Sequence, residues 1–152
     1  MCFKKKSAVR KIFKTTDGFF NNKPHIKKPR LVVAVYQRKN DGALAVTKLH
    51  SYKGKIKNTD IKNLVLKPNN HSSLTKISTV ENKVIWGINI DSKNKRPIYE
   101  SDLTPTFDKV NLFEFAKIKN GIKGHKKTLH KWKKNLKNKT EPPIRLTRVD
   151  TY

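Results

Sequence analysis

The sequence predicts one α+β domain, residues 1–152, with a small, strongly curved, mostly antiparallel sheet. Short β-branched runs dominate the chain up to about residue 100, and helical spacing dominates residues 104–137. Strands followed by helices are typical of α+β folds. A chain of 152 residues has the usual size of one domain, and 35% hydrophobic residues can fill one modest core.

The first 28 residues are basic, and Asp17 is their only acid. The spacing of the apolar residues from Ala8 to Phe13 predicts a short amphipathic helix. A partly ordered basic arm over residues 1–28 is the alternative. Phe19 and Phe20 are expected to seat this segment on the core.

A β-hairpin is predicted over residues 31–49. Leu31–Tyr36 is apolar, rich in β-branched residues and preceded by Pro29, which favours a buried strand. Asn40-Asp41-Gly42 accepts the positive φ of a tight turn, and Ala43–Leu49 returns as the second strand. Further strands are predicted at 64–66, 83–90 and 96–99, with a polar loop at 67–73 and a turn at 91–95.

Two helices and an edge strand are predicted to follow. Thr104-Pro105 has the residue types of an N-cap and first helical position, and Gly121 would end that helix. Its apolar face is expected at Val110, Phe113 and Ala116. A second helix is predicted from Lys126 to Lys137, and Ile144–Val149 alternates like an edge strand. A narrow apolar stripe would dock the second helix: Leu129, Trp132 and Leu136.

The charge balance predicts a polyanionic partner. The chain has 36 Lys and Arg against 11 Asp and Glu, a formal net charge of +25. A bias towards A- and T-rich codons would explain the lysines but not the scarcity of acids. Such a chain repels itself when it folds, and a phosphate backbone relieves that repulsion. Nucleic acid is the predicted partner, with an anionic membrane surface or a protein as alternatives.

Several classes of function are disfavoured by what the sequence lacks. Cys2 is the only cysteine, so no internal disulfide or cysteine-rich zinc site is expected, and a reducing cytoplasm is predicted. No apolar run approaches the ~20 residues of a membrane span, and no secretory signal is expected. The acids are scattered and no phosphate loop is present, which argues against a two-metal nuclease and against any cofactor.

RNA can be cut without a metal, because its 2′-hydroxyl can attack the neighbouring phosphate. The enzyme then needs groups that move protons and groups that stabilise the pentavalent phosphate. Residues that can move protons or bind phosphate are concentrated where the second predicted strand ends, from Thr47 to Lys53. We expect His50 to move a proton and Ser51 and Lys53 to bind the phosphate. Thr47 and Lys48 are expected to contact RNA.

Each of these residues also has an ordinary structural interpretation. A lone histidine is often polar surface, a serine often a turn residue, and a lysine often a solvated phosphate contact. The alternative catalytic segment is His71-Ser72-Ser73, whereas His125 and His130 are expected to contact RNA. Trp86 is predicted to lie in the core. Further RNA contacts are predicted on the second helix: Lys126, Lys127, Trp132, Lys133, Lys134 and Lys137.

The hairpin and the segment after it resemble a known family. Pro29-Arg30, the apolar run Leu31–Tyr36, a tight turn, Gly42–Val46 and then His50-Ser51-Tyr52-Lys53 resemble the core of type III toxin–antitoxin toxins, the ToxN-like and CptN-like endoribonucleases. The resemblance implies that Arg30, Ser51 and Lys53 are catalytic. His50 stands where the ToxN branch has a threonine, so which groups act as base and acid stays open.

The resemblance also implies a fold and partners. The fold would be a compact, barrel-like relative of the Kid and MazF toxins with added helices. The activity would be metal-independent cleavage of single-stranded, A-rich cellular or phage RNA, leaving a 2′,3′-cyclic phosphate. A small pseudoknotted RNA antitoxin, cut from a repeated precursor, would inhibit the toxin in a protein–RNA hetero-oligomer. The alternatives are a non-catalytic RNA-binding protein and, less favoured because no helix-turn-helix is apparent, a DNA-binding accessory protein.

Overall fold

The computed structural model describes residues 8–21, 23, 25–38, 43–51, 65–80, 84–88, 90–91, 96–97, 103–134 and 144–145. These residues form an α+β fold with a strongly curled antiparallel half-barrel sheet and a few helices, which confirms the predicted fold class. The strands are β1 (Lys11–Thr16), β2 (Pro29–Gln37), β3 (Leu44–Ser51), β4 (Val65–Leu66), β5 (Ser78–Val80), β6 (Trp86–Ile88), β7 (Ile90–Asp91), β8 (Arg96–Pro97), β9 (Thr104–Lys109) and β10 (Ile144–Arg145). The helices are α1 (Asp17–Asn21), α2 (Leu112–Gly121) and α3 (Lys126–Lys134), and a 3₁₀ turn, Lys123–His125, joins the last two.

The curl of the sheet comes largely from β3, which has different neighbours at its two ends. One edge of β3 pairs with β2, while on the other edge Leu44–Val46 pairs with β6 and Leu49–Ser51 pairs with β5. Among the described strands the main order is β10-β6-β3-β2-β1-β9, and β4 is added to β5. A bulge in β2 between Ala34 and Tyr36 adds to the bend. The ends of β1 and β3 and the start of β2 meet at one rim.

Both faces of the sheet carry a hydrophobic core. Ile12 and Phe13 are neighbours in β1, so they point to opposite faces, and they are 0% and 9% exposed. Ile12 belongs to the cluster that contains Ile118 of α2. Phe13 belongs to the cluster that contains Phe19 and Phe20 of α1, which confirms that these two rings seat the segment on the core.

The helix predicted from Ala8 to Phe13 is wrong, because this stretch supplies β1 instead. A strand buried on both faces shows no alternation of polar and apolar residues, and its apolar pairs imitate helical spacing. The alternative of a basic arm is also wrong for the described part, since β1 is paired with β2 on one side and β9 on the other. Residues 1–7 lie outside the described part.

The first predicted helix begins later than Thr104-Pro105, because residues 104–109 form the edge strand β9. Pro105 is tolerated there because an edge strand does not need every N–H. The helix α2 is capped by Asn111, whose side chain accepts a hydrogen bond from the Glu114 N–H at 2.7 Å, while the Asn111 N–H donates to Glu114 Oε1 at 2.9 Å. Of the predicted apolar face, Val110 is buried but precedes the helix, whereas Phe113 and Ala116 are exposed on α2.

The predicted hairpin is confirmed by the antiparallel pairing of β2 and β3, although its turn, residues 40–42, lies outside the described residues. A strand shorter than predicted is found within each of the other predicted ranges: 64–66, 83–90, 96–99 and 144–149. Of these, β10 lies at the end of the sheet order beside β6, as expected of an edge strand. The prediction missed β5, which is only three residues long and has one apolar member.

Candidate functional site

A cleft of about 580 Å³ opens at the rim where β1 and β3 end and β2 begins. The loop between β4 and β5 forms its opposite wall. The cleft brings together three residues that the sequence analysis assigned to catalysis: Arg30, His50 and Ser51. The fourth, Lys53, lies outside the described residues. Ser73, from the alternative catalytic segment, lines the same cleft.

Arg30 stands at the start of β2 and bridges two elements of the rim. Its Nε and Nη2 donate to the two carboxylate oxygens of Asp17 at 2.7 and 3.0 Å, which makes a bidentate pair with α1. Its Nη1 lies 3.2 Å from both the Leu49 carbonyl oxygen and His50 Nδ1. The guanidinium therefore links α1, β2 and the end of β3. The hydrogen bond from Arg30 holds the pKa of the Asp17 carboxyl below its usual value of 3.8, against a smaller opposing effect of burial.

The contact with Arg30 fixes the tautomer of His50. A guanidinium only donates hydrogen bonds, so Nδ1 of His50 must accept from Nη1. A neutral imidazole with Nδ1 as acceptor carries its proton on Nε2. The ring, which lines the cleft, is thereby held as an N–H donor at Nε2.

Positive charge surrounds this group. Lys14 of β1, Lys28 before β2 and Lys76 on the opposite loop are exposed and line the cleft. Asp17 offsets one of the cations, and the Lys28 and Lys48 charges also help to keep its carboxylate ionised. The cleft therefore presents several cations and hydroxyls to one volume large enough for a phosphate and its sugar.

The alternative catalytic histidine, His71, is a buried structural residue. Its side chain is 3% exposed, Nδ1 lies 3.1 Å from Asp108 Oδ1, and Nε2 lies 3.0 Å from Glu114 Oε2. Burial disfavours the charged ring, yet the hydrogen bonds to Glu114 and Asp108 outweigh burial and raise the pKa of His71 above 6.5. Both ring nitrogens are engaged by carboxylates, so in this structure His71 does not reach a substrate in the cleft.

Asp108 joins this network to the cleft wall. The Ser73 hydroxyl donates to Asp108 Oδ2, and the Ser73 N–H donates to the same oxygen at 3.2 Å. Burial raises the pKa of Asp108, but hydrogen bonds from Ser73 and His71 reverse that effect and bring it below 3.8. The cluster of Ser73, Asp108, His71 and Glu114 therefore ties the loop after β4 to β9 and α2.

The predicted RNA contact at Thr47 is corrected by its burial. Thr47 is 0% exposed and donates its hydroxyl to the Val84 carbonyl oxygen at 3.3 Å. Lys48, on the opposite face of β3, holds its Nζ over the rings of Phe20 and Trp86, at 4.5 and 5.0 Å from the ring centroids. Thr47 is a core residue. Lys48 is half-buried against aromatic side chains, and Trp86 packs against the core cluster of α1 as predicted.

The second predicted helix is present as α3, with Lys126, Lys127 and Lys134 exposed. Trp132 is the second correction, because it is 6% exposed in the core and covered by the Arg38 guanidinium at 4.7 Å. Leu129 is also buried, so the predicted apolar stripe docks the helix. Leu136, Lys137 and the Lys133 side chain lie outside what is described.

Nothing in the sequence pattern marked Lys14, Lys28 or Lys76 as site residues. They are distant from one another in the chain, and one lysine among many carries no local signal. Asp17 did have a local signal in the sequence, since it is the only acid in the first 28 residues. A single carboxylate in so basic a segment indicates an ion-pair partner.

No family model matches the chain, and no curated protein or solved structure matches it. Within the described ranges, no group of three His, Cys, Asp or Glu side chains is arranged to hold a metal ion. No helix in that part of the chain is long and apolar enough to cross a membrane.

Proposed function

We propose that this protein binds single-stranded RNA in the cleft and cleaves it through attack by the RNA's own 2′-hydroxyl. The observation that carries the proposal is that a guanidinium, an imidazole and a hydroxyl line one basic cleft: Arg30, His50 and Ser51. Such groups suit proton transfer and the stabilisation of a pentavalent phosphate. The net charge of +25 supports a polyanionic substrate independently of this geometry.

In the proposed reaction the 2′-oxygen forms a bond to phosphorus, and the bond from phosphorus to the 5′-oxygen breaks. The 2′-hydroxyl loses its proton and the 5′-oxygen gains one, so the products are a 2′,3′-cyclic phosphate and a 5′-hydroxyl. We assign the proton transfer to His50 and phosphate binding to Arg30 and Ser51. In the structure Nη1 of Arg30 donates a hydrogen bond to Nδ1 of His50. A bound phosphate would compete for Nη1 and leave Nδ1 of His50 able to accept a proton from the RNA.

The resemblance to type III toxins supports these assignments and extends them. It implies joint action of Arg30, Ser51 and Lys53, and the first two line one cleft. On this proposal the protein is a cytoplasmic endoribonuclease toxin that cuts A-rich cellular or phage RNA. A small pseudoknotted RNA antitoxin would inhibit it within a protein–RNA assembly.

The products test this reaction. Wild-type protein incubated with single-stranded A-rich RNA should yield fragments that end in a cyclic phosphate, identified by mass spectrometry. Cleavage should persist in EDTA, because the proposed chemistry uses side chains and the RNA hydroxyl. A 3′-hydroxyl or linear 5′-phosphate end, or loss of activity in EDTA, would contradict the proposed reaction.

RNA binding without cleavage is a second candidate function. The bidentate pair between Arg30 and Asp17 favours it, because a guanidinium paired in this way is also suited to holding β2 against α1 without taking part in catalysis. This candidate predicts RNA affinity that falls steeply with salt, as counterion release requires, and no fragments in the product assay.

A further inference from the structure

Phe107 in β9 has a conformation and an exposure that folding alone does not explain. Its side chain is 98% exposed, and its backbone φ is +65°. A bulky side chain is disfavoured in this left-handed region, and residues held there cluster at functional sites. The ring gains no burial that would offset the strain.

The strain is imposed by a bulge whose two sides are anchored. Between the pairs Lys11↔Lys109 and Phe13↔Pro105, the register advances by two residues in β1 and by four in β9. On one side of Phe107, the Thr106 hydroxyl donates to the Ile12 carbonyl oxygen at 2.8 Å. On the other side, Asp108 is held by Ser73 and His71, so the extra length leaves the ring outside the sheet.

The bulge lies beside the cleft. Thr106 lines the cleft, and Ser73, which also lines it, holds Asp108. Consecutive Cα atoms are about 3.8 Å apart, so Phe107 stands between two residues anchored at the cleft wall. Lys11, Lys14 and Lys109 are exposed on the two paired strands β1 and β9 that carry the bulge. A flat apolar ring among cations suits a ligand that is both anionic and aromatic.

We infer that Phe107 stacks on an unpaired base of the RNA whose phosphate occupies the cleft. The inference rests on the proposed function and adds a reason why single-stranded RNA is preferred, since a base within a duplex has no free face. Stacking on an aromatic side chain tolerates any base, because every base has a π-face. The buried cluster of His71, Asp108 and Ser73 then has a positioning role, since it holds the bulge that presents the ring.

The test compares variants at Phe107 by fluorescence anisotropy with a short labelled single-stranded RNA. Phe107→Ala should weaken binding on the order of 10- to 100-fold, while the slope of log affinity against log salt stays unchanged, because stacking releases no counterions. Phe107→Trp should retain affinity, and Phe107→Leu should lose it although it keeps apolar surface. Phe107→Asn, which tolerates positive φ, provides a second ring-free variant whose fold is not strained.

Phe113→Ala is the matched control, because that ring is also exposed but stands on α2 with Lys117 Nζ 4.8 Å from its centroid. It should change the affinity little. Affinity for a duplex of the same sequence should be the same in Phe107→Ala and wild type. Sedimentation of the same variants without RNA measures whether the ring instead joins two copies of the chain.

Wild-type affinity in Phe107→Ala and Phe107→Asn would overturn the stacking inference and leave the cleavage proposal standing. Retained affinity in Phe107→Leu, or an equal loss of affinity in Phe113→Ala, would also overturn the stacking inference. Either result would mean that any apolar surface contributes to binding. A wild-type dimer that Phe107→Ala dissociates without changing RNA affinity would assign the ring to self-association. A wild type that binds no RNA would overturn both the inference and the proposed function.

Discussion

Nη1 of Arg30 donates a hydrogen bond to Nδ1 of His50 over 3.2 Å, so the imidazole carries its proton on Nε2 when it is neutral. The same guanidinium holds both oxygens of Asp17. The tautomer of His50 therefore depends on a salt bridge that starts in α1.

This tautomer can be observed directly. In ¹⁵N NMR of the free protein with the imidazole neutral, Nδ1 of His50 should have the chemical shift of an unprotonated nitrogen and Nε2 that of a protonated one. Addition of inorganic phosphate or a short RNA should change both shifts, because phosphate competes for Arg30. A protonated Nδ1 in the free protein would contradict the described hydrogen bond.

Asp17→Asn should separate catalysis from binding. The change keeps the size of the side chain but removes the charge that orients Arg30, so cleavage should fall on the order of 10²-fold through misplacement of the reacting groups. RNA affinity should stay equal or rise slightly, since one negative charge is lost. Chemical denaturation should show a loss of about 1.5–3 kcal/mol, the range for a hydrogen bond to a charged group.

The same pair sets an acid limit on stability. Because the folded-state pKa of Asp17 lies below 3.8, its contribution is present above pH 3.8 and is lost as pH falls through that lower value. Asp17→Asn should therefore lose less stability than wild type as the pH falls below 3.8. Equal acid sensitivity in the two proteins would mean that the pair contributes nothing to folding.

His71 should make the stability of the fold decline at alkaline pH. Its folded-state pKa lies above 6.5, so its contribution is fully present below pH 6.5 and is lost as pH rises through the folded value. His71→Asn should cost about 3–5 kcal/mol, because it leaves two buried carboxylates without their cation. The variant should also lack the alkaline decline of the wild type, and exposed His130→Asn should retain it. An unchanged alkaline slope in His71→Asn would refute the raised pKa.

Phe107→Gly should stabilise the fold while it weakens RNA binding. The backbone at φ +65° suits glycine, and an almost fully exposed ring contributes no burial. Relief of strain in the left-handed region is worth about 1 kcal/mol, or roughly 2–4 °C in melting temperature, measured by calorimetry. A lower melting temperature would show that the ring supports the fold and would weaken the argument that it serves a ligand.

The salt dependence of binding distinguishes the basic surfaces. Changing Lys126, Lys127 and Lys134 of α3 to Ser should weaken RNA binding and reduce the salt slope by up to about 3, since each phosphate contact contributes about 1. The rate of cleavage at saturating RNA should not change. If affinity and slope are unaffected, α3 faces away from the RNA and the cleft lysines carry the contacts.

The sequence allowed the hairpin to be predicted, and with it the placement of His50 and Ser51 at the rim, because both depend on local residues. Leu31–Val35 is continuously apolar, and His50 and Ser51 are the last two residues of its partner strand β3. The edge strand β9 could not be predicted, because Thr104-Pro105 has the residue types of a helix start and only the pairing of this segment with β1 makes it a strand. Local propensity was overridden by tertiary pairing in this segment.

The rest of the site depends on contacts between residues far apart in the chain. Asp17 meets Arg30 across 13 residues, and His71 meets Glu114 across 43. The predictions of RNA contacts at Thr47 and Trp132 were wrong because both residues are buried. Their residue types suit an RNA contact, but the residue type does not tell whether a side chain faces solvent or the core. A sequence pattern gives the residue type, but only the packed structure gives its exposure.

The most direct test of the central claim is single-turnover cleavage of RNA by His50→Ala, measured together with its RNA affinity. Removal of a group that moves a proton should lower the rate about 10²–10⁴-fold and leave the affinity nearly unchanged. His130→Ala, which removes an exposed histidine from α3, should cleave at the wild-type rate at saturating RNA. A wild-type rate in His50→Ala, or a wild-type protein that cuts no RNA, would contradict the account.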